Sequence, residues 1–506
     1  MFNKCLLRSI VLIVVGLQLT ACATNNTVNN ESISESVAII ASNRKVIDPE
    51  TVKAKDVTEE KDAEGNITVN ATLANGTTKS FNYDVLDLEP NYDDISALTV
   101  DIGDANSLDA ESENVVKFVD GDVELASGGI YVLKGSLDGQ VRIKKGIGDR
   151  TLLVLDSINI NVTDKSAIYS DDTRLLIRLI DGSNNTISGE SIEVANSNKF
   201  SAIYSKESIS ITGNGELNID GKFSNAIESK DVLTILSGNI NTTINGDGLK
   251  SKNGVLVRDG NVKIKSGDDG IKATDETNGS IFLQGGNVTI KAKGKGISAD
   301  KELIVAGGSV QVDSKKECME ALTVDLMGGV VNLKASEDGI NASDKKQDKK
   351  ANQTGVYASL SGTYLIIDSQ MDAIDSNGDL YMSGGTVLIS SSTDDNERII
   401  DYNGSVRCSG GEMIGVGPGA RMQDLGDNSD QNYIVIYYNE VMPAGLINVL
   451  DSANNSLLSL AVDKEYKAAL ITSPKIEIGK KYTVVSSDDT KTIEIASVKN
   501  EIRCSI

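Results

Sequence analysis

Histidine is absent from all 506 residues, and that absence excludes more chemistry than any motif adds. Without imidazole there is no Ser-His-Asp or Cys-His nucleophile, no histidine zinc site, and no use of the commonest general base near neutral pH. Tryptophan is absent as well, aromatic residues make up 4% of the chain, and there are only 5 prolines. The 5 cysteines build no framework, since Cys5 sits in the leader, Cys22 has a separate use, and Cys318, Cys408 and Cys504 leave an odd remainder. Basic surplus is also missing. Forty-nine Lys and Arg against 73 Asp and Glu give a net charge of −24, which argues against nucleic acid and anionic membrane surfaces as partners. Cations, and neutral or cation-bridged substrates, stay open.

What is present begins with a basic start (Lys4, Arg8), an apolar run from Ile10 to Leu19, and Leu19-Thr20-Ala21-Cys22. The run is too short to cross a bilayer core of ~30 Å as a retained helix. The pattern is that of a signal peptide over 1–21 with Cys22 as the lipidated first residue, so the membrane is expected to be met only through that anchor. Ala23, in place of the Asp that favours inner-membrane retention, points to the outer membrane or cell surface. Residues 22–45 read as a flexible tether. Residues 46–105 read as an N-terminal β region with a hairpin around Asn66–Phe81.

The fold is decided by internal periodicity. One pattern is a polar residue, a small residue, an aliphatic residue, any residue, then Ala or Ser, as in Asn225-Ala226-Ile227-Glu228-Ser229, Asp247-Gly248-Leu249-Lys250-Ser251 and Asp269-Gly270-Ile271-Lys272-Ala273. It continues through Gly296-Ile297, Cys318-Met319, Gly339-Ile340 and Ala373-Ile374, with steps of 22, 22, 26, 22, 21 and 34 residues between the small positions. A second pattern, Gly-polar followed by alternating β-branched residues, advances in phase: Gly238-Asn239-Ile240, Gly260-Asn261-Val262, Gly286-Asn287-Val288, Gly308-Ser309-Val310. No period has room for a long helix, and none carries the aromatic signatures of propeller blades. The reading is an all-β chain, a right-handed parallel β-helix of about ten coils of roughly 22 residues over 106–420, monomeric, with a small β cap over 421–506. The Lys- and Asp-rich insertion Ser343–Thr354 reads as a surface loop.

Stacked coils place equal pattern positions ~4.8 Å apart on neighbouring turns. Asp247 with Asp268 and Asp269 forms the first candidate calcium site, Glu317, Glu320, Glu337 and Asp338 the second, and Asp372 with Asp375 the third. Hard oxygen ligands of irregular geometry suit Ca²⁺. The alternative is that Asp-Gly is turn chemistry and these carboxylates are solvated. Lys250 and Lys272 stack beside the first site, as charge balance or as candidate glycan contacts, and Tyr169 and Tyr204 are candidate sugar platforms or rungs of a tyrosine ladder.

Asp268-Asp269-Gly270 invites comparison with β-helical polygalacturonases, whose essential His and Arg-x-Lys are missing here. Calcium-dependent pectate lyases would need an Arg or Lys base. The run Gly129-Ile130-Tyr131-Val132-Leu133-Lys134-Gly135, then Leu155-Asp156-Ser157-Ile158-Asn159-Ile160, Ser166-Ala167-Ile168-Tyr169, the Asp-Gly-Ile-Lys-Ala copies and the tail from Pro443-Ala444-Gly445 to Tyr482-Thr483-Val484 together resemble a bacterial family of cell-surface, carbohydrate-binding right-handed β-helices over roughly 95–490. The resemblance implies calcium-associated binding of plant-type polysaccharides, acidic pectin-like chains among them, without established cleavage. The lack of tryptophan departs from what flat stacking platforms need. A non-catalytic polysaccharide-binding lipoprotein is therefore the leading expectation, with a calcium-dependent polysaccharide lyase and an adhesin or envelope-structural protein as alternatives.

Overall fold

Alternating apolar residues cut by Gly, Asn and Asp every few positions favour short strands joined by turns, and the stretches Asp247–Ser251, Gly254–Val257 and Asn261–Ser266 are three such strands. In this computed structural model residues 47–88, 97–108, 115–126, 128–144, 150–190, 200–487 and 489–503 are described. The proposed signal peptide, Cys22 and the tether lie outside the described residues. Three strands make one coil, and each pairs in parallel with its counterpart on the next: Leu249 opposite Ile271, Val255 opposite Ile281, Val262 opposite Val288. The result is a parallel β-solenoid of about 11 turns, stacked between residues 130 and 416.

The aliphatic column anticipated from the repeat lies inside. Ile203, Ile227, Leu249, Ile271, Ile297, Met319, Ile340 and Ile374 have no exposed surface, and burying each side chain contributes on the order of 1.5–3 kcal/mol. The small column beside it is enforced by close approach. A Cβ on Gly248 would stand 2.4 Å from Ile264 Cγ2 and 2.5 Å from the Gly270 carbonyl oxygen. Cys318 occupies this column fully buried, and burial pushes its thiol up to about 12, so it acts as a small hydrophobe. At Gly260, φ of +102° turns the chain where an L side chain would be strained.

The C-terminal end of the solenoid is closed by antiparallel strands. The last long strand, Val406–Gly417, pairs antiparallel with Tyr466–Thr472, which in turn pairs with Tyr433–Met442. A separate antiparallel sheet of Gly445–Leu450, Ser456–Val462, Lys481–Ser486 and Asp489–Glu494 completes the C-terminal β unit. Such closure removes an open row of backbone donors and acceptors.

The N-terminal region does more than lead into the first coil. Strands β1 (Val57–Lys61), β2 (Ile67–Thr72) and β3 (Thr78–Tyr83) form an antiparallel sheet that lies on the flank of the solenoid. Phe81 stacks on Phe282 with ring centroids 4.0 Å apart and planes 4° from parallel, within a second apolar cluster containing Leu256, Ile304 and Met327. A one-turn helix, α1 (Val85–Leu88), follows, and its Asp87 is clamped by Arg174 (2.5 Å) and Ser210 Oγ (2.8 Å).

At the other end of this docked sheet, the buried Asp325 carboxylate accepts the Ala74 backbone N–H (3.0 Å) and the Tyr357 hydroxyl (2.8 Å). Burial still pushes Asp325 up to about 6. A carboxyl raised in the folded state favours folding fully only at acid pH, and that contribution is lost as pH rises through about 6. Asp325→Asn keeps an acceptor for the Ala74 N–H, turns the other position into an N–H donor that the Tyr357 hydroxyl oxygen can accept, and removes the titration. The variant is expected to gain on the wild type by on the order of 2–3 kcal/mol between acid and mildly alkaline pH. Denaturant unfolding of both proteins at the two pH values measures this, and a difference that does not change with pH refutes it.

Candidate functional site

The corner pattern puts two polar positions, three residues apart, on the same side of every coil, as the pairs Asp247–Lys250 (2.9 Å), Asp269–Lys272 (2.7 Å) and Arg398–Asp401 show. Parallel register stacks these pairs into a two-column face on one sheet. Read down the solenoid, the rungs are Asn225/Glu228, Asp247/Lys250, Asp269/Lys272, Lys295/Ser298, Glu317/Glu320, Asp338/Asn341, Asp372/Asp375 and Arg398/Asp401. Charge is balanced at Asp247/Lys250, Asp269/Lys272 and Arg398/Asp401 and unbalanced on the rungs from Glu317/Glu320 to Asp372/Asp375.

The first candidate site is close in geometry, since carboxylate oxygens of Asp247, Asp268 and Asp269 lie within 4.8 Å of one another. Its charges are nevertheless already answered. Lys250 and Lys272 pair with Asp247 and Asp269, Asp247 Oδ1 also accepts the Asp269 backbone N–H (3.2 Å), and Asp269 Oδ1 accepts that of Lys295 (2.8 Å). Asp268 is exposed. Burial opposes the charge on Lys272, but its hydrogen bond to Asp269 and the neighbouring carboxylates outweigh that and hold its ammonium above the ordinary lysine range. A lysine so held is a poor general base near neutral pH.

The second and third candidate sites merge into one constellation. Asp338 Oδ1 accepts the Asp372 backbone N–H (3.0 Å) and Asp372 Oδ1 accepts that of Arg398, so carboxylates on successive coils cap the same position one turn on. Burial and the repulsion of Asp375, Asp372 and Glu317 push Asp338 up to about 9. Asp372 and Asp375 rise to about 7, chiefly by burial with Asp401 adding repulsion. Glu317 is raised by burial, with Glu320 and Glu337 adding to it. Two buried oxygens here, Glu317 Oε2 and Asn341 Oδ1, have no hydrogen-bond donor, and Lys295 stands 3.9 Å from the former. Glu320 differs: burial disfavours its charge, but Lys295 and Lys345 hold its carboxyl below the usual range. Lys345 (3.0 Å from Glu320) comes from the Ser343–Thr354 insertion, which the buried Gln353 side chain ties together internally through the Asp344 backbone.

At the opposite end, Tyr169 and Tyr204 stack on adjacent coils, centroids 5.3 Å apart and 14° from parallel. Arg142 lies 5.5 Å from the Tyr169 centroid and Lys230 lies 5.7 Å from that of Tyr204. The Tyr169 hydroxyl donates to Asp171, which also binds Arg142 and Lys206. Arg142, Asp171, Lys295, Asn341, Lys345, Arg398 and Asp401 join the face without having been singled out from the sequence. Five of them, Arg142, Lys295, Asn341, Arg398 and Asp401, occupy repeat positions and were open to the same column reading.

A family described as carbohydrate-binding domain-containing protein matches residues 119–396. A protein of that description from Acetivibrio thermocellus is 32% identical over 143 residues, 27% of this chain and 50% of that protein, so the chain spans about half the length of the curated relative it matches. Among solved structures, the gadolinium derivative of a polysaccharide lyase-like protein from C. thermocellum is 27% identical, aligned over 46% of this chain and 95% of that one with a TM-score of 0.38.

The raised carboxyls predict a metal-free pH dependence. Folded values above those of the unfolded chain mean stability that is complete at acid pH and lost as pH rises through about 7 and then about 9. After chelation, Asp338→Asn is expected to match the wild type near pH 4 and to exceed it increasingly as pH rises to about 9, by on the order of several kcal/mol at alkaline pH. Thermal melts in chelator across that range test this, and parallel curves for the two proteins count against it.

Proposed function

The chain belongs to the family of carbohydrate-binding domain-containing proteins, and on that premise we propose that the two-column face binds acidic polysaccharide without cleaving it, with calcium held in the lower rungs. The observation that carries this reading is the run Glu317, Asp338, Asp372 and Asp375, with Asp372 buried and the other three half-buried, which has less cationic compensation than the rungs above. Two buried oxygens without donors fit a hard, oxygen-seeking cation. Asp338, Asp372 and Asp375 would hold it, with Glu317 and Asn341 beside them, and binding would draw these oxygens together, since among the described residues only Asp247, Asp268 and Asp269 already bring three carboxylates within 4.8 Å of one another. Calcium there would neutralise the carboxylates and leave coordination for a glycan carboxylate.

The remainder of the face suits a linear chain. The stacked Tyr169–Tyr204 pair offers a sugar ring an apolar surface flanked by Arg142 and Lys230, and the central rungs supply alternating hydrogen-bond donors and acceptors. The absence of histidine and the firmly protonated Lys272 support binding over catalysis. Lipidation at Cys22 would hold the solenoid at the cell surface as a tethered receptor for polymer.

Affinity electrophoresis in polygalacturonate gels tests the reading. Retardation is expected with calcium, is expected to vanish with chelator, and is expected to weaken about tenfold or more in the Asp338→Asn, Asp372→Asn double variant. Metal analysis of the same proteins should show calcium lost with the double variant. Unretarded migration on acidic and neutral polysaccharides alike, with calcium present, would overturn the proposal.

A further inference from the structure

The docked N-terminal sheet leaves a second concavity, away from the two-column face. On the flank it covers, the outward position of successive coils reads Ser210, Thr234, Leu256, Phe282 and Ile304 in parallel register. Where the residue is large and apolar the sheet closes down, as Phe81 does on Phe282. Where it is Ser210 or Thr234 the sheet stands off, held at its far end by Asp84 and Asp87 on Arg150 and Arg174. Between these contacts lies a cleft of about 530 Å³. That volume falls among those of small-molecule sites.

Its walls are chemically specific. The charged groups are already paired: Arg174 with Asp84 (3.4 Å) and Asp87 (2.5 Å), Lys79 with Glu302 (2.8 Å), and Asp231 with the Ser208 hydroxyl and the Asn253 amide (2.8 Å). No charge is left to select an ion. Phe81, Val232, Leu236 and Leu256 give an apolar surface, while Asn82 and Asn278 are exposed amides in the lining and Thr234 adds a hydroxyl. Apolar patches beside amides and hydroxyls match a pyranose ring, whose faces carry C–H groups and whose edge carries hydroxyls.

We infer that this cleft is a second binding site, for a short uncharged saccharide, formed jointly by the N-terminal sheet and the solenoid flank. The site stands independently of the calcium-dependent face, lies largely beyond the columns that build it, and needs no metal. An acidic sugar fits it poorly, because its charge would enter beside Asp84, Asp87 and Asp231 with both nearby cations already engaged.

Thr234→Leu is the decisive variant, because it copies the residue one coil further along in the same register and so fills the cleft with a side chain this flank already accepts. Calorimetric titration of the protein with cellobiose, maltose and lactose, all in chelator, should show saturable binding of at least one. Thr234→Leu should weaken that binding about tenfold or more with an unlowered melting temperature. Asn278→Ala, which removes an exposed amide of the lining, provides a second variant expected to weaken it without filling space. Failure of all three sugars to bind, binding that Thr234→Leu leaves intact, or equal binding of digalacturonate would overturn the inference. Because chelator is present throughout, loss of polygalacturonate retention leaves this outcome untouched.

Discussion

Parallel hydrogen bonding between coils at ~4.8 Å is the constraint on which everything else depends. It turns each repeat position into a column, and a column multiplies whatever chemistry its position carries. Inside, that is favourable, because stacked Ile, Leu and Met bury one another completely. Outside, it is demanding. Like charges repeated at that spacing repel, and each rung must answer the repulsion or carry it.

The face answers it in three ways. Asp247 and Asp269 use a lysine three residues on and a backbone N–H one coil on. Glu320 uses Lys295 together with Lys345 from an insertion elsewhere in the chain. Asp338 and Asp372 use a backbone N–H one coil on and little else, Asp375 has, among the described residues, only the nearby charges of Arg398 and Lys349, and all three carboxyls rise accordingly. One sheet thus grades from self-neutralised to cation-seeking without any change in fold. The flank covered by β1–β3 follows the same rule in apolar form, closing where Leu256 and Phe282 stand and opening at Ser210 and Thr234.

Position in the repeat was legible because it depends only on spacing: the inner column, the small column with Cys318, and the pairing of Asp247 with Asp269 all follow from counting. The ranking of the carboxylates was not. Asp-Gly-Leu-Lys and Asp-Gly-Ile-Lys carry their own counter-ion three residues away, a clue present in the sequence, whereas Lys345 reaches Glu320 from outside the period. The docking of the N-terminal sheet was foreshadowed and passed over. Val255-Leu256-Val257, Ile281-Phe282-Leu283 and Leu303-Ile304-Val305 are continuous apolar runs, and a strand apolar at successive positions is covered on both sides. What no count supplies is which segment covers it, since Phe81 and Phe282 lie 201 residues apart.

The lower rungs pose the sharper question of why they keep carboxylates at all. Capping the backbone N–H of the next coil needs only a side-chain oxygen, and an amide provides one without charge. Asn341 stands in this very grid, so an uncharged oxygen is tolerated there. Holding Asp338, Asp372 and Asp375 instead costs stability at neutral pH, as their raised values state in another form. A local rule broken three times in succession, on an accessible face, with two buried oxygens lacking donors beside it, is the pattern expected where binding rather than folding sets the residues. The same reasoning separates this constellation from Asp247 and Asp269, whose charges fold into the structure with their lysines and ask for nothing further.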